Sequence, residues 1–154
     1  MHALEHRIPP PIVALLIVLA MWQLSQRLGG AWTLPLGVRI GLGGGVALLG
    51  IVVALAGVIE FRRARTTVNP LKPSSSSSLV TGGIYRFTRN PMYLGMALGL
   101  VGAAIGLASP WALFGPVAFV AFIGRFQIAP EERAMSRLFG PDFDAYRSRT
   151  RRWL

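Results

Sequence analysis

The chain has no cysteine among its 154 residues. This absence excludes disulfide bonds, thiolate catalysis and cysteine-ligated metal sites. Its two histidines, His2 and His6, stand in the N-terminal tail without a partner at the spacing that metal ligands require. The sequence therefore predicts no metal site.

Charge is also scarce, because only 14% of the residues are charged and 53% are hydrophobic. A soluble domain is about a quarter charged, so the deficit indicates lipid as the solvent for much of the surface. The 16 basic residues outnumber the 6 acidic ones and give a net charge of +10. They cluster between apolar runs, as in cytoplasmic loops of membrane proteins, and we predict no nucleic-acid partner.

The common catalytic motifs are absent: no G-x-S-x-G, P-loop, H-E-x-x-H or G-x-G-x-x-G pattern occurs. Hydrolase and kinase functions therefore have no support. Among the few acids, Glu131 and Glu132 are adjacent near the end of the last apolar run. They either offset a helix dipole or hold the paired ribose hydroxyls of a nucleotide-like cofactor.

The apolar runs predict an all-α polytopic membrane protein with four transmembrane helices, at about 9–28, 38–60, 91–108 and 110–128. Residues 91–124 carry no charge. As one helix they would extend roughly 50 Å, beyond a bilayer core of ~30 Å, so the chain must reverse. Ser109-Pro110 is the natural break and predicts a helical hairpin. Gly41 and Gly45 predict close packing of the second helix. We treat residues 1–154 as one domain.

Four crossings place the N-terminus, the 61–90 loop and the 129–154 tail on one side. Only Arg27 and Arg39 of the 16 basic residues fall near the other two turns. This asymmetry predicts cytoplasmic termini, in a bacterial inner membrane. The serine run at 74–78 predicts a flexible tether within the loop.

The tail predicts a short amphipathic cytoplasmic helix, because Met135, Leu138 and Phe139 recur at helical spacing before Gly140-Pro141. Beyond it, aromatic residues alternate with arginines. We interpret them as an interfacial belt; they are Phe143, Tyr146 and Trp153.

The segment 81–95 is unusually polar for the start of an apolar helix, with Tyr85, Arg86, Arg89 and Tyr93 close together. The arginines could snorkel to lipid phosphates or clamp an anion. The tyrosines could be interfacial aromatics, or a face for an adenine or a sulfonium. The density of such groups indicates a site at the membrane surface.

Two blocks in this half of the chain resemble a known family. Residues 83–95 read GIYRFTRNPMYLG, and residues 131–146 read EERAMSRLFGPDFDAY. In order and spacing they are similar to G-x-Y-x-x-x-R-H-P-x-Y-x-G and E-E-x-x-L-x-x-x-F-G-x-x-Y-x-x-Y of the isoprenylcysteine carboxyl methyltransferase family. The chain resembles its short bacterial branch, which is related to membrane phospholipid methyltransferases.

The resemblance implies S-adenosylmethionine as cofactor and a lipophilic or lipidated substrate. It implies catalytic roles for Arg89, Asn90 and Tyr93. The cofactor-binding positions that it implies are Leu79, Val80, Tyr85, Asn90, Pro91, Met92, Tyr93, Glu131 and, as the alternative to Glu131, Glu132. It places substrate contacts at Gln127, where the family has an arginine, and at the nearby Arg125. Asn90 stands where the family has histidine, and an amide does not titrate near neutrality.

The implied reaction is carboxyl O-methylation of an isoprenylcysteine-like acceptor. A phospholipid, a lipophilic amine and a thiol are alternative acceptors. Two other functions compete: an NADPH-dependent membrane reductase, whose cofactor phosphate would bind clustered arginines, and a non-enzymatic scaffold. The oligomeric state stays open.

Overall fold

The computed structural model describes residues 8–30, 32–64 and 78–154. Within these ranges the chain is helical and forms no strand. The six α-helices are α1 (Pro10–Leu28), α2 (Leu36–Arg63), α3 (Pro91–Leu107), α4 (Phe114–Ile123), α5 (Ala129–Phe139) and α6 (Pro141–Arg149). His2, His6 and serines 74–77 lie outside the described residues.

Prolines begin several of these helices, because a first-turn residue needs no intrahelical N–H bond. Pro10, Pro91 and Pro141 stand at the starts of α1, α3 and α6. Gly140, with φ of 48°, ends α5 just before Pro141. The predicted amphipathic helix in the tail therefore corresponds to α5 and stops where the sequence indicated.

The chain reverses between α3 and α4, at the predicted break. Ala108 adopts a left-handed conformation with φ of 47°, and Ser109 is extended before a 3₁₀ turn at Pro110–Leu113. The N–H of Trp32 donates to the Ala108 carbonyl at 2.7 Å. This bond joins the α1–α2 connection to the hairpin turn.

Residues 110–139 form one continuous helical segment, which is longer than the predicted span of 110–128. A π turn at Gly124–Ile128 joins α4 to α5 within it. Such turns insert a residue into an α-helix and are frequent at functional sites. This one contains Arg125 and Gln127.

Helices α2 and α3 pack at backbone distance through glycines. A Cβ added at Gly50 would lie 2.5 Å from the Gly95 carbonyl oxygen, and one at Gly43 would lie 2.7 Å from that of Gly102. A Cβ added at Gly41 or at Gly45 would have no neighbouring atom within 4 Å. The prediction that glycines of the second helix allow close packing is confirmed. The prediction that Gly41 and Gly45 are those glycines was wrong. The contact repeats every seventh residue, from Gly43 to Gly50 and Gly57.

The other core lies between α1, α3 and α4, where Met21, Leu100, Phe119 and Ile123 are buried together. Outward-facing leucine, isoleucine and valine side chains on α1 and α2 are exposed along most of each helix. Such faces are stable in lipid rather than water.

Within residues 8–30, 32–64 and 78–154, three segments are long and apolar enough to cross a membrane: Pro10–Leu28, Leu36–Arg63 and Pro110–Phe139. Helix α3 is apolar but has 17 residues, or about 26 Å at 1.5 Å per residue. In the described residues the structure is all-helical, with three long apolar helices. The fourth crossing stays a prediction.

Many of the polar contacts between helices lie at one end of the bundle. The start of α1 lies there, since the Ile8 carbonyl accepts a bond from Gln127. The end of α2 is also there, with Glu60 against Gly83. The start of α3 joins them through bonds to the C-terminal residues. At the other end, Arg39 donates to the Gly106 carbonyl at 3.0 Å through Nε.

The α2–α3 contact predicts a matched pair of variants. Gly50→Ala should lower the free energy of unfolding by about 1–3 kcal/mol, because its methyl group meets the Gly95 carbonyl. Gly45→Ala, on the same helix, should leave stability unchanged or slightly raised, since its methyl group meets nothing. Thermal unfolding in detergent measures both. Equal melting temperatures for the two variants would contradict the glycine contact.

Candidate active site at the polar end of the bundle

The first element of the site is a bond between the two sequence blocks. The Tyr93 hydroxyl, at the start of α3, donates to Oε1 of Glu131 at 2.5 Å. Tyr93 is 6% exposed. The predicted pairing of the two blocks is therefore present in the fold, with Glu131 as the inward-facing acid.

Glu132 has a different environment from its neighbour, because successive helical residues point about 100° apart. Its Oε1 is 2.8 Å from Nη2 of Arg89, and its Oε2 is 2.5 Å from Nη2 of Arg152. The bond to Glu132 raises the pKa of Arg152. Glu132 is thus the ion-pairing acid, and Glu131 faces the interior.

Arg89 also holds the C-terminal backbone. Its guanidinium donates to the Thr150 carbonyl and, at 3.1 Å, to the Arg147 carbonyl. Asn90 adds a bond from Nδ2 to the Arg152 carbonyl at 2.8 Å. Arg89 and Asn90, two of the three side chains implied as catalytic, are therefore occupied in fixing the tail against the start of α3. In the described residues, the Arg89 side chain is a clamp on protein groups rather than an open anion site.

Tyr85 is the centre of a second cluster, beside the first. It is 4% exposed and packs edge-on against Phe61, with ring centroids 5.4 Å apart. Leu79 and Val80 pack partly buried against the same cluster. The Tyr85 hydroxyl has no hydrogen-bond partner among the described residues. A buried phenol without a partner is costly, so this group is available to a ligand.

The tail contributes Phe143 and Tyr146 to that cluster, and both are buried. The prediction of an interfacial belt at these residues was wrong. They lie one helical turn apart on α6, which turns them inward onto Tyr85. The Tyr146 hydroxyl donates to the Tyr85 carbonyl at 2.7 Å. The three-residue spacing of Phe143 and Tyr146 was the signal in the sequence that could have revealed their burial.

Both phenols stay neutral near pH 7. Burial raises the pKa of Tyr85 well above its usual range, and Tyr146, Glu131 and Glu60 raise it further. Burial raises the pKa of Tyr146 to about 12, although Arg89 and Arg149 act in the opposite direction. The two hydroxyls are therefore hydrogen-bond donors and not bases at that pH.

Pro91 and Met92 fix the start of α3 against α2. A Cβ at Gly57 would lie 2.9 Å from Cγ of Pro91 and 3.2 Å from Cγ of Met92. Pro91 is buried, and Met92 is partly buried. These two residues position Tyr93 through the backbone.

Gln127 and Arg125 lie apart from the tyrosine cluster, in the π turn. Gln127 is fully buried, and its Nε2 donates to the Ile8 carbonyl at 2.9 Å. Its Oε1 accepts no bond from the described residues. Arg125 is exposed, with its guanidinium carbon 5.6 Å from the centroid of the Phe126 ring. Of the two implied substrate contacts, only Gln127 points into the bundle.

The environments of the two acids predict opposite effects on stability. Glu132→Gln should lower the free energy of unfolding by about 1–3 kcal/mol, because two arginines lose a charged acceptor. Glu131→Gln keeps an acceptor for Tyr93 and removes a partly buried charge that has no cationic partner in the described residues, so stability should not fall. Thermal unfolding of both variants in the same detergent makes the comparison. A larger loss for Glu131→Gln would contradict this assignment.

Known proteins are similar to the part of the chain that contains Tyr85, Tyr93 and Glu131. The family described as phospholipid methyltransferase matches residues 38–142. A probable protein-S-isoprenylcysteine O-methyltransferase of Oryza sativa is 29% identical over 66% of this chain and 53% of its own length. Protein-S-isoprenylcysteine O-methyltransferase A of Arabidopsis thaliana is 29% identical over 64% of this chain and 50% of its own length.

A bacterial relative is also similar. An uncharacterized protein of Haemophilus influenzae is 36% identical over 41% of this chain and 100% of its own length. The match spans about half the length of the plant relatives. No solved structure matches the chain significantly. The resemblance of the two motif blocks to this group of methyltransferases is confirmed: the chain belongs to the phospholipid methyltransferase family, with the isoprenylcysteine O-methyltransferases among its relatives.

Proposed function

We propose that the protein is an integral membrane methyltransferase that uses S-adenosylmethionine to methylate a lipophilic acceptor. The observation that carries this proposal is the bond between the buried Tyr93 and the partly buried Glu131, beside the unpartnered hydroxyl of Tyr85. The proposal places the polar end of the bundle at the cytoplasmic face of a bacterial inner membrane. The clustering of arginines at that end supports this orientation.

The residues present fit a nucleoside cofactor. A partly buried carboxylate is suited to accept hydrogen bonds from vicinal ribose hydroxyls, and Glu131 has one oxygen beyond the bond to Tyr93. The Tyr85 hydroxyl supplies a neutral donor that the described residues leave unused. Leu79 and Val80 provide an apolar wall, and the faces of Tyr85 and Tyr93 suit an adenine or a cation.

S-adenosylmethionine supplies an electrophilic methyl group on a sulfonium, so the protein needs no strong electrophile of its own. Tyr93 holds Glu131 in one orientation through its 2.5 Å bond. Arg89 and Asn90 act by closing the tail over the start of α3, which excludes water from the site. Pro91 and Met92 fix Tyr93. Alignment of this kind lowers the barrier by several kcal/mol in an intramolecular geometry.

The acceptor class depends on Gln127. Its Oε1 is buried without a donor, and its Nε2 is used by the Ile8 carbonyl. A methyl acceptor that carries an N–H, such as a lipid amine, would donate a hydrogen bond to Oε1 of Gln127. The oxygens of a carboxylate would be repelled by that Oε1. We therefore favour an amine-bearing lipid. The isoprenylcysteine-like carboxylate is the second candidate, supported by the names of the plant relatives.

A pair of tyrosine variants tests cofactor binding. Tyr85→Phe should weaken S-adenosylmethionine binding by about tenfold, as expected for loss of one buried hydrogen bond. It should not lower the melting temperature, because the hydroxyl has no partner in the described residues. Tyr146→Phe is the matched control and should lose stability with little change in affinity. Calorimetry of the detergent-solubilised protein measures the affinities.

Glu131→Ala should weaken binding further than Tyr85→Phe. Failure of the folded wild-type protein to bind S-adenosylmethionine would overturn the proposal. A rise in melting temperature with NADPH and none with S-adenosylmethionine would favour the reductase instead.

The acceptor is tested with lipid extracts and donor labelled in its methyl group. We expect label in a base-stable product, because N-methyl groups survive alkali and methyl esters do not. Gln127→Arg should reduce that product and should favour any carboxylate acceptor, since a guanidinium binds a carboxylate. Base-labile label from the wild-type protein would contradict the amine and support the carboxylate.

A further inference from the structure

A polar cleft lies between the turn that precedes α3 and the C-terminal end of α6. Its volume is about 410 Å³. Ligand sites commonly have volumes of ~300–1,000 Å³, so the cleft can hold a small polar group. The residues that line it are Thr81, Gly82, Arg86, Arg149 and Thr150. None of these five has a role in the nucleoside site proposed above.

The two arginines of this polar cleft can bind an anion. Arg86 and Arg149 are exposed, and neither forms an ion pair with a carboxylate of the described residues. The nearby Arg147 differs, since it pairs with Asp144 at 3.4 Å. Guanidinium groups bind carboxylates in bidentate pairs. This wall of the cleft therefore fits the carboxylate of a ligand.

Glu60, in the last turn of α2, brings a negative charge to the edge of the same cleft. Its Oε2 lies 3.7 Å from the Cβ position of the lining residue Gly82, and its Oε1 lies 2.7 Å from that of Gly83. The Glu60 side chain is 19% exposed, and Oε1 pairs at 3.0 Å with Arg63, which is 73% exposed. An ion pair with so exposed a partner is weak, so the carboxylate can accept a second cation.

Tyr85 connects the cleft to the proposed nucleoside site. It precedes Arg86 in the chain, and its carbonyl accepts a bond from the Tyr146 hydroxyl at 2.7 Å, which joins the two walls. Burial raises the pKa of Tyr85, and Tyr146, Glu131 and Glu60 raise it further. Two carboxylates on different helices, Glu131 on α5 and Glu60 on α2, thus act on one phenol. A single extended ligand can therefore reach from Glu131 into the cleft.

We propose that the polar cleft binds the α-amino-acid group of S-adenosylmethionine and that Glu60 makes it specific for a zwitterion. Arg86 and Arg149 pair with the carboxylate of the ligand, and Glu60 pairs with its ammonium. A phosphate has no ammonium beside its negative charge, so Glu60 repels it. Glu60 thus turns a cluster of arginines that would suit the phosphate of NADPH into a site that rejects it. This inference rests on the proposed function, because S-adenosylmethionine is the ligand.

The test measures binding of donor analogues to the full-length protein in a non-ionic detergent, by calorimetry. S-adenosylhomocysteine keeps the amino-acid group, decarboxylated S-adenosylmethionine lacks the carboxylate, and methylthioadenosine lacks the whole group. Glu60→Gln should weaken binding of the first two about tenfold and that of methylthioadenosine less than about twofold. Arg86→Gln/Arg149→Gln should weaken S-adenosylhomocysteine at least about tenfold and both other analogues less than about twofold.

Matched controls separate these contacts from changes in net charge. Arg63→Gln breaks the exposed ion pair but keeps the Glu60 carboxylate, so it should not weaken binding of any analogue. Arg27→Gln/Arg137→Gln removes two exposed charges elsewhere and should change affinities less than about twofold. Melting temperatures establish that the variants are folded. The wild-type protein needs no substitution and should bind S-adenosylhomocysteine at least about tenfold more tightly than methylthioadenosine.

The outcomes distinguish this inference from the proposed function. If wild-type protein binds S-adenosylmethionine but binds methylthioadenosine as tightly as S-adenosylhomocysteine, the cleft is no amino-acid site and the proposed function stands. Equal losses for all three analogues in Glu60→Gln would likewise overturn the inference, because they would assign Glu60 to the nucleoside. No binding of S-adenosylmethionine by folded wild-type protein would overturn both.

Discussion

The contacts of Arg89 are the constraint on which the rest of this site depends. One guanidinium reaches Glu132 on α5, the Arg147 carbonyl on α6 and the Thr150 carbonyl in the C-terminal segment. It therefore ties three later elements to the start of α3. It also fixes Thr150, which lines a cleft together with Arg86 and Arg149.

The contacts of the C-terminal segment give the adjacent acids Glu131 and Glu132 different roles. Glu132 satisfies the positive charge of the clamp, so its carboxylate is committed to structure. Glu131, on the neighbouring face of the same helix, remains in the interior with Tyr93. A helix alone produces this division, because adjacent residues point in different directions. The order of the two acids in the motif thus determines which one is committed to ion pairs and which one bonds to Tyr93.

The sequence predicted features that depend on local chemistry or on the count of apolar residues. The helical character, the reversal at Ser109-Pro110 and the helix stop at Gly140-Pro141 follow from backbone rules that need no partner. The pairing of Tyr93 with Glu131 was anticipated because both blocks occur together in the family. The sequence did not identify Gly43, Gly50 and Gly57 as the packing glycines. Several small residues satisfy the same spacing, and only the facing helix selects among them.

By itself, the sequence determined that this chain is helical, apolar and basic at one end, because these properties are sums over residues. Tertiary structure alone decided that Arg89 and Asn90 hold the tail and that Tyr146 is buried. It also decided that Arg86 and Arg149 face a common cleft. Each of these depends on residues roughly 60 positions apart in the chain. A side chain's role at such a contact is set by what the fold brings opposite it, and no local pattern carries that information.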